Sequence, residues 1–355
     1  MSTTGTTPRP LYVHVGASKT GTSALQRGLF GSADQLDQQG IGLPLTNRHE
    51  HVELVLRPLG WLTASGFVDP VRPAALDRLA RRLRKVSGER ALLTCEDLCE
   101  ADPERIAVLR TVFEDAGFEP RVVITLRGLA TTIPSEWQQF LKHRITLDYP
   151  TFLERVRDRK GRWGRHFWTR QDAVAMCERW SSVLGAERLD VVVTPPRSRE
   201  PEGLYRTFGA VVGFDPATMS WPERDVNASW GMVEAEVYRR INLALGDRLP
   251  RYEEAYQPAV RWPLVKGALP RSASARIKLP PEHLPWVAEA AEEQARWLRE
   301  SGIRIHGETS DLLPGDADAE PLPPVDEAEV AAAAVATFAN FAVTTHRQRR
   351  RTGQG

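Results

Sequence analysis

The chain is short of cysteine, of net charge and of long apolar runs, and each shortage closes off a class of protein. Three cysteines among 355 residues, Cys95, Cys99 and Cys177, cannot build a disulfide framework, and no second metal-like cluster accompanies them. Buried thiols in a reducing compartment are the expectation. Lys and Arg number 47 against 46 Asp and Glu, for a net charge of +1; wholesale nucleic-acid binding usually shows a strong basic excess. No 18 consecutive residues are apolar, so no membrane-spanning helix is expected. The opening MSTTGTTPRP has no apolar core of the kind a secretory signal carries. A soluble cytoplasmic protein follows as the expectation.

What is present is a glycine loop after a strand. In LYVHVGASKTGTSALQRGL, Gly16 and Gly21 bracket a turn, with the apolar run Leu11 to Val15 before it. After it, Ala24, Leu25, Leu29 and Phe30 recur at helical spacing. Strand, loop and helix in that order aim helix-terminal N–H groups at an anion. A nucleoside-triphosphatase loop reads G-x-x-x-x-G-K-S/T, with lysine directly after the last glycine. Here Thr22 follows Gly21, and the lysine, Lys19, lies inside the loop. Backbone amides of Thr20 to Ser23 can still form a phosphate nest, and Thr22 and Ser23 add hydroxyls. No paired-carboxylate site for magnesium is obvious nearby, although Glu96 and Asp97 end a neighbouring apolar run.

Further along, apolar runs alternate with helical patterns. Strands are expected at Ala91 to Cys95, in RVVITLR ending at Arg127, and at Leu189 to Thr194. Helices are expected near 73–86, 103–116, 134–141, 171–184, 204–211, 230–245 and 285–301. That alternation predicts an α/β fold, a central parallel sheet with helices on both faces, and a mostly helical C-terminal portion. The expected organisation is a disordered tail at 1–10 and an α/β domain with helical insertions at 11–313. Residues 314–355 read as a Pro/Asp-rich segment, an Ala-rich helix near 327–341 and a solvated basic tail.

The loop S-K-T-G-T-S, Ser18 to Ser23, resembles the 5′-phosphosulfate loop of sulfotransferases that use 3′-phosphoadenylyl sulfate (PAPS), which typically reads P-K-S/T-G-S/T-S/T. A second motif accompanies it: VVITLRGLATTIPSEW places Arg127 at a strand end and Ser135 eight residues on. In that family an arginine and a serine so spaced bind the donor's 3′-phosphate, the arginine as a forked cation and the serine from a helix's first turn. Looser resemblance to bacterial PAPS-dependent sulfotransferase-like proteins extends over 11–313. It implies a P-loop sulfotransferase fold and in-line transfer of a sulfuryl group to a hydroxyl, or an amine, of a carbohydrate or small metabolite, without a metal. It further implies that Lys19 stabilises the leaving phosphate oxygen, that Ser18, Thr20, Gly21, Thr22 and Ser23 surround the 5′-phosphate, and that Arg127 and Ser135 hold the 3′-phosphate. Ser18 stands where proline is usual, which is expected to loosen the loop.

The acceptor needs a base, typically His or Glu. Glu96 is the first candidate, because ligands of open α/β sheets bind beyond the carboxyl ends of strands; the alternative is a carboxylate that merely caps a helix. His51 is the second, at the start of an expected helix in NRHEHVELVL. His49 and His51 stand two apart, which does not put both on one helix face for zinc. Trp163, Phe167 and Trp168, among the arginines of 142–170, offer either core aromatics or an acceptor wall. Ser229, in VNASWG with Asn227, is read as a helix cap. Two other readings stay open: a P-loop kinase or NTPase, and a non-catalytic protein that binds the desulfated nucleotide PAP.

Overall fold

The computed structural model describes residues 8–63, 66–67, 69–222, 229–270 and 275–351. Most of the tail expected at 1–10, and Asn227, lie outside the described residues. The chain divides into two compact units. The first is Met1–Thr132, His166–Glu223 and Val287–Pro314; the second is Ile133–Arg165, Arg224–Trp286 and Gly315–Gly355.

The chain opens with β1 (Arg9–His14), α1 (Thr22–Gly31), α2 (Ala33–Gln38), β2 (Ile41–Gly42) and the single turn α3 (Arg48–His51). A small hairpin of β3 (Trp61–Thr63) and β4 (Gly66–Phe67) follows, then α4 (Asp77–Arg84), β5 (Arg90–Thr94), α5 (Pro103–Asp115) and β6 (Phe118–Leu126). Next come α6 (Leu129–Leu141), α7 (Tyr149–Arg157), α8 (Gly161–Gln171), α9 (Ala173–Leu184), β7 (Leu189–Val193) and α10 (Gly203–Val212). The last elements are α11 (Met232–Leu245), α12 (Leu284–Glu300), β8 (Arg304–His306) and α13 (Glu327–Arg351).

In the first unit six strands form one sheet in the order β2-β5-β1-β6-β7-β8. Every pairing in it is parallel. This is the α/β architecture expected from the sequence. Alternate residues of the central strands face opposite ways, as the two-residue strand period requires. Leu11, Val13, Leu93, Val122, Ile124 and Val191 join one core with α4, α5 and α9. Leu92, Val123 and Val192 join another with Leu25, Leu29, Phe208 and Val212 of α1 and α10. Local chemistry fixes the helix starts: the Asp102 carboxylate accepts from the Arg105 amide at 2.9 Å, with Pro103 in the first turn.

After β1 the chain builds β2 and β5 on one side, then crosses to build β6, β7 and β8 on the other. The end of β1 is therefore a topological switch point, where open α/β sheets leave a crevice. The glycine loop leaves β1 at that point.

The second unit is helical and aromatic-rich. Trp137 packs on Tyr149 with centroids 5.1 Å apart, and its indole N–H donates to the Leu147 carbonyl at 3.0 Å. Asn242 donates to the Leu141 and Ile145 carbonyls at 2.9 and 3.1 Å and accepts from the Tyr256 hydroxyl at 2.6 Å, so this buried amide is satisfied. α13 runs ten residues past the helix end expected near 341, to Arg351. Its stretch Glu327–Arg347 is long and apolar enough by composition to cross a membrane, and Val335 and Phe338 on it are exposed. Composition alone does not make it a span. Ser229 is not a cap, because α11 begins at Met232 with Gly231 in the capping position.

Candidate active site

The loop turns on two glycines and one lysine in left-handed conformation: Gly16 at φ 60°, Lys19 at φ 65° and Gly21 at φ 98°. A side chain on Gly21 would come within 2.7 Å of Leu204 Cδ2, and one on Gly16 would press on Thr22 at 3.0 Å. Lys19 has no such excuse of size, and a lysine in that region carries roughly 1–3 kcal/mol of strain. Its neighbours hold it there. Ser18, 3% exposed, accepts at its hydroxyl from Gln171 Nε2 at 2.9 Å and Arg170 Nε at 3.2 Å. Its carbonyl accepts from the same Gln171 nitrogen at 2.9 Å. The loosened loop expected from a serine in the usual proline's place is not what the structure shows: the serine is tied down by hydrogen bonds.

On the other side of Lys19, Thr20 ends a chain of hydrogen bonds whose direction can be deduced. Each threonine hydroxyl has one proton to give. Thr20 gives its proton to the Ala17 carbonyl at 2.8 Å, so across the 2.7 Å contact Thr125 is the donor. Thr125 must then accept from His14 Nε2 at 3.2 Å, which leaves His14 Nδ1 to accept from the Thr94 hydroxyl at 2.7 Å. Thr94 in turn lies 3.4 Å from the Gln26 amide nitrogen, which donates to it. The chain joins the ends of β5, β1 and β6 beneath the loop.

Burial lowers the His14 pKa from 6.5 to about 3, keeping the ring neutral as the chain of bonds requires. The unfolded chain takes up a proton below pH 6.5 that the folded protein refuses. Stability is therefore undiminished above that pH and falls by about 1.4 kcal/mol per unit as pH drops below it. Between pH 7 and pH 5, the wild type is expected to lose about 2 kcal/mol more than His14→Gln in urea unfolding. Equal losses in the two proteins would show that His14 is not held neutral.

Two clefts flank the loop. The first is lined by Thr20, Gly21, Arg127, Thr194, Arg197 and Tyr205, among others. The second is lined by Gln26, Phe30, Arg48, His51, Thr94, Glu96 and Asp97, among others. They lie toward β6 and β7 and toward β5 respectively, on opposite sides of β1. The structure thus brings Arg127 to the same cleft as the loop, and His51 to the same cleft as Glu96. Ser135 lies on α6 in the second unit, whereas Arg127 belongs to the first. Ser23 is exposed at the start of α1.

Each cleft holds a buried polar atom with no partner among the described residues: Thr194 Oγ1 in the first, His51 Nε2 in the second. His51 is 3% exposed, and its Nδ1 lies 2.8 Å from the Asn47 carbonyl. A carbonyl only accepts, so Nδ1 carries the proton and Nε2 the lone pair. Burial pushes the imidazole below its ordinary range, against the Asn47 carbonyl and Glu50, so the ring is neutral near pH 7.

Glu96 is differently placed. It accepts a very close hydrogen bond from the Thr22 hydroxyl and pairs with Arg48 at 3.5 Å. Burial opposes its charge, but Arg48, the Thr22 hydroxyl, Arg170 and Lys19 outweigh it and hold the carboxyl below its usual range. A carboxylate so committed is a weak proton acceptor. Thr22 has spent its hydroxyl proton on Glu96, so what it offers a phosphate is its amide. Phe167 and Trp168 pack edge-on at 5.3 Å and are buried, so they form core, not an acceptor wall. His14, Arg170 and Gln171 went unnoticed as site residues in the sequence, because their partners lie far off along the chain; Thr194 went unnoticed because only its burial in the first cleft marks it.

Among the described residues no group of three His, Cys, Asp or Glu side chains is placed to hold a metal ion. No family model matches the chain, and no curated protein matches it significantly. The crystal structure of a sulfotransferase from Alicyclobacillus acidocaldarius matches with a TM-score of 0.42 at 20% identity, over 68% of this chain and 95% of that one. A likeness of that size says nothing of the reaction, which has to be read from the two clefts themselves.

Proposed function

We propose that the chain transfers a sulfuryl group from PAPS to a hydroxyl or amine of a small-molecule or carbohydrate acceptor. The observation that carries the reading is the pair of clefts on either side of the Lys19 turn, each with an orphaned buried polar atom. The first cleft suits a polyanionic nucleotide: it combines loop backbone, the guanidinium groups of Arg127 and Arg197, the Thr194 hydroxyl and the Tyr205 ring. The second suits a small hydroxylated acceptor, with one proton-accepting nitrogen, one aromatic wall and polar neighbours.

In this reading Lys19 neutralises the charge that develops on the donor's bridging oxygen, and the loop amides hold the 5′-phosphate. His51 takes the acceptor's proton at Nε2, while the Asn47 carbonyl fixes the tautomer and steadies the imidazolium that forms. Glu96 stays ionised and orients Thr22 and Arg48. Arg127 binds the 3′-phosphate.

Calorimetry with PAP and an assay of sulfuryl transfer from labelled PAPS test the proposal. Binding of PAP without magnesium, together with transfer, is expected. Magnesium-dependent ATP binding with no PAP binding would establish a kinase or NTPase instead, and PAP binding with no transfer to any acceptor would establish a carrier. Arg127→Ala is expected to raise the PAP dissociation constant at least tenfold, since a charge-assisted hydrogen bond contributes about 1.5–3 kcal/mol. Unchanged affinity would remove Arg127 from the nucleotide site.

A further inference from the structure

The C-terminal end of α8 reaches the loop with two consecutive side chains. Gln171, 3% exposed, gives its amide nitrogen to both the carbonyl and the hydroxyl of Ser18 at 2.9 Å. Arg170, 8% exposed, gives Nε to the same hydroxyl at 3.2 Å. Arg170 is itself fixed from behind: its guanidinium makes a very close pair with Glu100 and stands 3.6 Å from Asp97. His166, one turn earlier on α8, lies 3.6 Å from the same Glu100. The helix end cannot drift, because Asp172 begins α9 by capping the Ala175 amide at 3.1 Å, and Gln294 accepts from the Ala173 amide at 3.1 Å.

We infer that Gln171 and Arg170 are positioning residues that aim Lys19 by anchoring Ser18. A lysine at φ 65° keeps that conformation only while the backbone on both sides is over-determined. Thr20 is anchored by the threonine–histidine chain on one side; Gln171 and Arg170 supply the anchor on the other. Arg170 also touches Asp97, which pairs with Arg48 at 3.2 Å in the second cleft. One buried cation therefore ties the Lys19 turn to the wall of the acceptor cleft.

The activity part of this inference rests on the sulfuryl-transfer reading; the anchoring part does not. Gln171→Met keeps the side chain's length and removes both donors, and Arg170→Lys keeps the charge and removes the fork, without leaving Glu100 unpaired in the core. Hydrogen exchange of the peptide spanning 15–23, with no ligand present, is expected to quicken at least tenfold in Gln171→Met and less in Arg170→Lys. In transfer assays kcat is expected to fall at least tenfold in Gln171→Met, with the acceptor KM and the PAP dissociation constant within threefold of wild type, because orientation matters most in the reacting complex. Wild-type exchange in both variants would overturn the anchoring. Faster exchange with wild-type kcat would overturn the aiming of Lys19. A wild type that binds no PAP and transfers nothing would sink the functional reading while leaving the exchange result to decide the anchor.

Discussion

Lys19→Ala is expected to lower turnover by about 10²–10³-fold, the loss typical when one preorganised donor to a developing oxyanion is removed. PAP binding is expected to change far less, because the loop amides, Arg127 and the first cleft remain. The split between kcat and binding is the informative part, since it marks an interaction made chiefly in the transition state. The substitution also leaves a residue with a Cβ at φ 65°, so Lys19→Gly is the cleaner companion. It relieves the strain, and it is expected to be at least as stable as the wild type and equally inactive. Activity surviving in both variants would show that the ammonium takes no part in the reaction.

The second large effect belongs to His51. Removing a general base typically costs about 10²–10⁴-fold in rate, and His51→Ala is expected to fall in that range, with PAP affinity unchanged. The pH profile separates a base from a packing residue. Burial holds the imidazole below its ordinary range, so wild-type kcat/KM should be level near neutrality and fall on acidification only below the usual histidine value. His51→Ala should lose that acid limb along with its rate. Glu96→Gln is the contrasting case: its carboxylate is committed to Thr22 and Arg48, so a smaller loss without a displaced acid limb is expected. If Glu96→Gln instead abolished transfer and His51→Ala did not, the assignment of the base would reverse.

How much of this was legible beforehand follows from where each signal lives. The loop and its strand announced themselves because glycine spacing and apolar runs are local; β5 and β7 lie within a residue of their expected bounds, and β6 ends within a residue of Arg127 but starts three residues before the expected run. β2 and β8 did not, being two and three residues long, with β8 reading Arg-Ile-His. No bounds were expected for α7 and α8, because their arginines and aromatics fit a solvated helix with core aromatics and an acceptor wall alike; burial of Phe152 and Phe167 decides for core. The candidate bases were both visible by residue type. The observations on which we propose His51 over Glu96, a 2.8 Å contact to the Asn47 carbonyl and a carboxylate already paired, were not. Ser18 was misjudged for the same reason: its anchors come from Arg170 and Gln171, 152 and 153 residues further on.

The hydrogen-bond chain beneath the loop also bears on how such a sequence can change over time. Because every hydroxyl proton from Thr94 to Thr20 points the same way, positions 14, 20, 94 and 125 are not four independent choices. Valine matches threonine in shape, yet at any one link it strands a donor on one side and an acceptor on the other. Serine keeps the direction and can enter one position at a time. A switch to an apolar set has to cross all the links together. Residues scattered over a third of the sequence are thus coupled by one chain of protons, and a change to apolar side chains at all of them, more than the loss of any single one, is what this loop geometry could not survive unaltered.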